Sequence, residues 1–110
     1  MFEVKKKYAN VNGVAFETFS RDVEEDESGL TVEAGTTGLI CGDGGDVHSR
    51  CLISIDNRYG DFFAQLIKDE AGNATGIDIA VSGNDELCNI IKALEFAART
   101  LREQVTGEDL

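Results

Sequence analysis

The last third of the chain carries the pattern that most restricts its fold. Leu87, Ile91, Leu94, Ala98, Leu101 and Val105 recur at alternating steps of four and three. At about 100° per residue they fall in a stripe about 80° wide. Ile90 and Ala97 broaden one edge of it, and Cys88 lies at its border. Asn84 stands where an N-cap is needed. Asp85 and Glu86 follow in the first turn, where carboxylates meet the positive end of a helix, and Gly107 stands where a C′ residue would. The spacing predicts a helix of about six turns, with that stripe packed on a sheet.

The sheet is written in what precedes the helix. Val14–Phe19 is rich in β-branched and aromatic residues, and Leu30–Ala34 alternates apolar with polar. Thr36–Cys41 and Cys51–Ile55 flank a Gly/Asp-rich stretch and predict one hairpin. Phe62–Lys68 and Gly76–Val81 flank Asp69–Asn73 and predict another, with Ile77, Ile79 and Val81 turned to the core. Proline is absent, which suits strands whose amides all serve a ladder. The expected fold class is α+β: an antiparallel sheet of four to six strands, built of hairpins, on one long C-terminal helix. With 110 residues it is expected to form one domain, 1–110.

Charge narrows the function. Ten basic residues against 21 acidic ones give −11 with His48 neutral. That balance opposes direct contact with nucleic acid and favours a partner with a basic surface. Lys5-Lys6-Lys7 reads as a charged strand edge that discourages strand-on-strand pairing. No apolar core of a leader follows these lysines, and no stretch approaches the ~18 apolar residues of a membrane span. Three cysteines, an odd number, suit free thiols and a reducing compartment, so a cytoplasmic location is expected. Asp22-Val23-Glu24-Glu25-Asp26-Glu27 holds five carboxylates in six residues and reads as a solvated loop.

The richest cluster of chemical groups is Cys41–Cys51, which contains His48, Arg50, Asp43, Asp46 and three glycines. Zinc is one reading: Cys41, His48 and Cys51 as ligands with Cys88 as fourth. The C-x6-H-x2-C spacing departs from the tight knuckles of structural zinc sites. A Cys/His nucleophile is a second, opposed by the local negative charge, which raises a thiol pKa. No phosphate loop, nucleophile elbow or G-x-G-x-x-G occurs. The favoured reading is structural: a long hairpin connection presenting His48-Ser49-Arg50 at its tip, with the cysteines as small buried hydrophobes at the strand ends.

Phe96 stands about 180° from Leu87, among polar residues, and is expected to be an exposed anchor for a partner or a second copy. One of Phe62 and Phe63 must also face away from the core. Together these features predict a non-catalytic acidic interaction module without a cofactor. By analogy of size and charge, it resembles small inhibitors or accessory proteins of the nucleic-acid-mimic type found in phages and mobile elements. Its expected partner is a basic protein surface, such as that of a nucleic-acid-binding protein. Asp22, Glu24, Glu25, Asp26 and Glu27 would attract that partner, and His48, Arg50 and Phe96 would give specificity. Two alternatives stand beside it: a zinc domain, and a homodimeric accessory protein that pairs through the helix face bearing Phe96.

Overall fold

The structure is a computed structural model and describes residues 3–38 and 49–105. It is α+β. Strands β1 (Lys5–Val11), β2 (Val14–Glu25), β3 (Ser28–Thr36) and β4 (Cys51–Tyr59) form an antiparallel meander in that order. β5 (Phe62–Lys68) and β6 (Ala74–Val81) form a separate two-stranded sheet, and α1 (Asn84–Val105) ends the described chain.

Local chemistry explains the turns. Asn12 and Gly13 join β1 to β2 at φ values of 51° and 85°. This Asn-Gly pair is the usual solution for a two-residue hairpin, because its twist matches that of the strands. The β5–β6 loop is tied by Asp69, whose Oδ1 accepts from the Ala71 and Asn73 amides at 2.9 Å each. Gly35 lets β2 and β3 pack tightly, since a Cβ there would lie 2.5 Å from the Glu17 carbonyl oxygen. The meander also curls. Arg50 Nε donates to the Val11 carbonyl at 3.1 Å, which brings the start of β4 to the end of β1 although the two are not sheet neighbours.

Two expectations about strands change. Leu30–Ala34 and the start of the expected Thr36–Cys41 strand belong to one continuous strand, β3, and Cys51 pairs with Thr36 rather than with Cys41. Cys41 itself lies outside the described residues. The acidic block is not a free loop. Asp22–Glu25 close β2, and Asp26-Glu27 make the turn into β3.

The larger correction concerns the helix. Leu30, Val32 and Ala34 of β3 are fully buried against Ala93 and Ala97. The face of α1 that meets the sheet carries Glu86, Asn89, Ala93, Ala97 and Thr100. It lies about 120° around the helix from the predicted stripe. Leu87, Ile91, Leu94 and Ala98 face solvent, while Leu101 and Val105 are half-buried.

Small side chains are the reason. Alanine lets the helix axis approach β3 closely, and polar groups at both ends hold it there. Asn89 Nδ2 donates to the Ser28 carbonyl (3.0 Å) and to Ser28 Oγ (2.9 Å), and Ser28 Oγ donates to Glu86 Oε1. At the far end, Gln104 Nε2 donates to the Glu17 carbonyl (3.0 Å), and its Oε1 accepts from the Thr36 amide (3.1 Å).

The β5–β6 hairpin also departs from expectation. Ile77 and Ile79 are exposed rather than buried, and only its root joins the core, through Phe62. The projecting hairpin helps raise the radius of gyration to 15.7 Å, above the ~13 Å of a compact domain of about this length.

A buried alanine face makes bulk costly there. Ala97→Leu is expected to destabilise the fold by about 1–3 kcal/mol, because no space is left beside β3. Urea denaturation checks it as a lower midpoint with an unchanged slope.

Candidate functional site

Three of the five clustered carboxylates are already engaged. Asp22 Oδ1 accepts from Thr31 Oγ1 at 2.7 Å. Glu24 pairs with Arg58 Nη1 at 2.5 Å, and Asp22 lies 3.8 Å from the same nitrogen. Glu25 pairs with Lys92 Nζ at 2.5 Å. The hydrogen bond to Glu24 is the main cause that raises the Arg58 pKa. Tyr59 is raised first by loss of water and then by the Glu24 charge. These exposed pairs add little stability, but they spend most of the block's charge on neighbouring cations. Asp26 and Glu27 are exposed at the turn and have no ion pair among the described residues.

Glu27 instead joins carboxylates that the sequence pattern does not connect to it. A cleft of about 530 Å³ opens where the β2–β3 turn, the β4–β5 corner and the start of α1 meet. It is lined by Glu27, Asp61, Asp85 and Glu86 together with Ser28, Gly60, Ser82, Gly83 and Asn84. No Lys, Arg or His is among these lining residues. Glu86 is 3% exposed. Its Oε1 takes the Ser28 hydroxyl, while its Oε2 is buried without a hydrogen-bond partner among the described residues.

Burying a carboxylate oxygen without a donor is unfavourable by roughly 1–3 kcal/mol. The fold holds the arrangement through Gly60. Its φ is +116°, and a Cβ there would stand 2.6 Å from Glu86 Oε1. The cleft thus gathers carboxylates in one partly enclosed site, and one of its lining residues, Glu86, has a buried oxygen without a donor among the described residues.

The other predicted site residues are dispersed. Arg50 is half-buried and clamps strands instead of standing at a free tip. Besides its bond to Val11, its amide donates to Thr37 Oγ1 at 3.0 Å, and its carbonyl accepts from Thr37 N at 3.1 Å and Thr36 Oγ1 at 2.6 Å. His48 and Cys41 lie outside the described residues, as do Asp43 and Asp46.

Cys51 and Cys88 are free and exposed, on β4 and α1. Loss of water pushes the Cys51 thiol pKa up, away from the thiolate that a nucleophile or metal ligand requires. Among the described residues, no group of three or more His, Cys, Asp or Glu side chains is placed to hold a metal ion.

Phe96 is corrected with the helix: it is half-buried against the core, beside Phe19, Arg21 and Arg99, in a groove of about 470 Å³. Phe62 packs on the core and Phe63 is exposed, as their adjacency required. No described helix is long and apolar enough to cross a membrane. Comparison with family models, curated proteins and solved structures gives no match for this chain.

Asp61, Asp85 and Glu86 are the cleft residues that sequence reasoning missed. Glu86 looked like an ordinary first-turn carboxylate, and nothing local links Asp61 to a turn more than 30 residues before it. The Gly60–Glu86 contact can be tested by paired substitutions. Gly60→Ala carries both a positive-φ penalty and a collision with Glu86. Gly72→Ala, at φ +88° with nothing within 4 Å, carries only the first. Gly72→Ala is expected to lower stability by about 1–2 kcal/mol, and Gly60→Ala by at least about 1 kcal/mol more. Thermal or urea unfolding of the two variants gives the order.

Proposed function

We propose that this chain is a non-catalytic acidic binding module. Its cleft at the start of α1 receives a lysine or arginine side chain from a basic protein surface. The observation that supports this reading is the cleft that Glu27, Asp61, Asp85 and Glu86 line with no cation among the lining residues. A guanidinium or ammonium group entering there supplies the opposite charge and donors to the lining carboxylates. Charge-assisted hydrogen bonds of this type are about twice as strong as neutral ones. The net charge of −11 adds long-range attraction, which speeds encounter with a basic partner. A nucleic-acid-binding protein is the partner class whose basic groove best fits such a surface. The remaining acidic residues around the β2–β3 corner act as the wider field, and the cleft acts as the specific contact.

A labelled oligo-arginine peptide tests the reading. Binding is expected at about 50 mM salt and strong weakening at about 500 mM, where the Debye length is about threefold shorter. Asp61→Asn and Asp85→Asn are each expected to weaken binding about fivefold, equivalent to about 1 kcal/mol. Glu70→Gln removes the same charge from the exposed β5–β6 loop and is expected to change little. Equal weakening by all three would reduce the effect to bulk acidity and overturn the assignment to the cleft. Absence of peptide binding at low salt would overturn the reading altogether.

A further inference from the structure

A different surface remains uncovered. Facing residues in an antiparallel pair share one side of the sheet, so the β5–β6 register sets Phe62 with Val81, Ala64 with Ile79, and Leu66 with Ile77 on one face. That face is apolar from its root to Leu66 and Ile77, and Lys68 and Thr75 follow on it at the tip. Its root, Phe62, packs on the core, while Leu66, Ile77 and Ile79 stand in solvent. The same core reaches the surface twice more. The α1 flank carries Leu87, Ile91 and Leu94, bordering half-buried Ile90 and Leu101. On β4, Ile53 shares the helix side with Ile55 and is 54% exposed, because α1 lies over β2 and β3.

The size of this surface points to its occupant. The seven exposed Ile and Leu side chains are 41–57% accessible. Summed over the hairpin face, the helix flank and Ile53, they leave on the order of 600 Å² of apolar area, against the ~300–600 Å² of the largest single patch on a monomer. That is most of the ~800 Å² that each partner contributes to a stable interface. The surface also has two matching parts, the hairpin face built of Ala64, Leu66, Ile77 and Ile79 and the helix flank built of Leu87, Ile91 and Leu94. A two-fold axis lets each copy supply the hairpin to the other's helix, so both are covered by one operation and no open chain forms.

We infer that the protein is a symmetric dimer, in which the β5–β6 hairpin of each copy lies over the Leu87/Ile91/Leu94 flank of the other. This goes beyond the basic-partner reading and uses a different surface. The two also respond oppositely to salt. Two copies each carrying −11 repel, so added salt strengthens the dimer, whereas it weakens the cleft's grip on a cation.

Sedimentation equilibrium of the full chain over a range of concentrations and salt tests this. The expected result is a mass near twice 11.9 kDa, with a dissociation constant that falls as salt rises. Leu94→Glu on the helix and Ile77→Lys on the hairpin each change an exposed side chain. Each is expected to leave the circular dichroism unchanged and to raise the dissociation constant on the order of thirtyfold or more. Mixing the two variants is expected to restore a dimer. One hairpin–helix contact then sets the introduced lysine against the introduced glutamate, and the other is unaltered.

A chain that is monomeric at all concentrations would overturn the inference, and so would open-ended association. Failure of the mixture to recover would overturn the hairpin-over-helix arrangement. A monomer that binds phosphatidylcholine vesicles through the same residues would assign the surface to lipid and overturn it as well.

Discussion

The close approach of an alanine face to the central strand β3 governs the rest of this molecule. Ala93 and Ala97 present almost no bulk, so the helix can settle on Leu30, Val32 and Ala34 with no gap. Asn89 with Ser28 at one end and Gln104 at the other fix both rotation and height. These amides meet backbone groups that would otherwise lose water without a partner, so the wrong rotation leaves them unsatisfied. Leucine bulk cannot fit the same space and is turned to the side. One packing choice therefore closes the core and sends the larger apolar residues to the surface.

Two surfaces of opposite character follow. Turning the helix this way places Glu86 against Gly60, among the residues that line one cleft with Glu27, Asp61 and Asp85. It also leaves the leucine flank beside the uncovered part of β4 and the emerging hairpin. One surface is a cleft lined by carboxylates, and the other is a broad and mostly apolar area. A small domain seldom leaves both uncovered unless something meets them.

Much of this was legible in the sequence, and the failures have physical causes. The helix boundaries, the second hairpin and the α+β class follow from periodicity, capping residues and turn chemistry, which act over a few residues. Hydrophobicity alone ranks Leu and Ile above Ala and so predicts a different rotation of α1, whereas here Ala93 and Ala97 make the close-packed contact with β3. The same predicted rotation puts Phe96 on the solvent side, while strand alternation, independently, assigns Ile77 and Ile79 to a core that does not extend over them. The acidic block was visible as charge, but its pairing with Arg58 and Lys92 depends on strands and a helix brought together from far along the chain. Asp61 and Glu86 were hidden for the same reason.

Methyl NOEs across the helix–sheet contact give the most direct measure of this packing. Cross-peaks from Ala93 and Ala97 to Leu30, Val32 and Ala34 are the predicted result, with none from Leu87, Ile91 or Leu94 to those three residues of the same chain. Strong contacts between Leu87, Ile91 or Leu94 and β3, with the alanine methyls facing water, would contradict the account at its foundation.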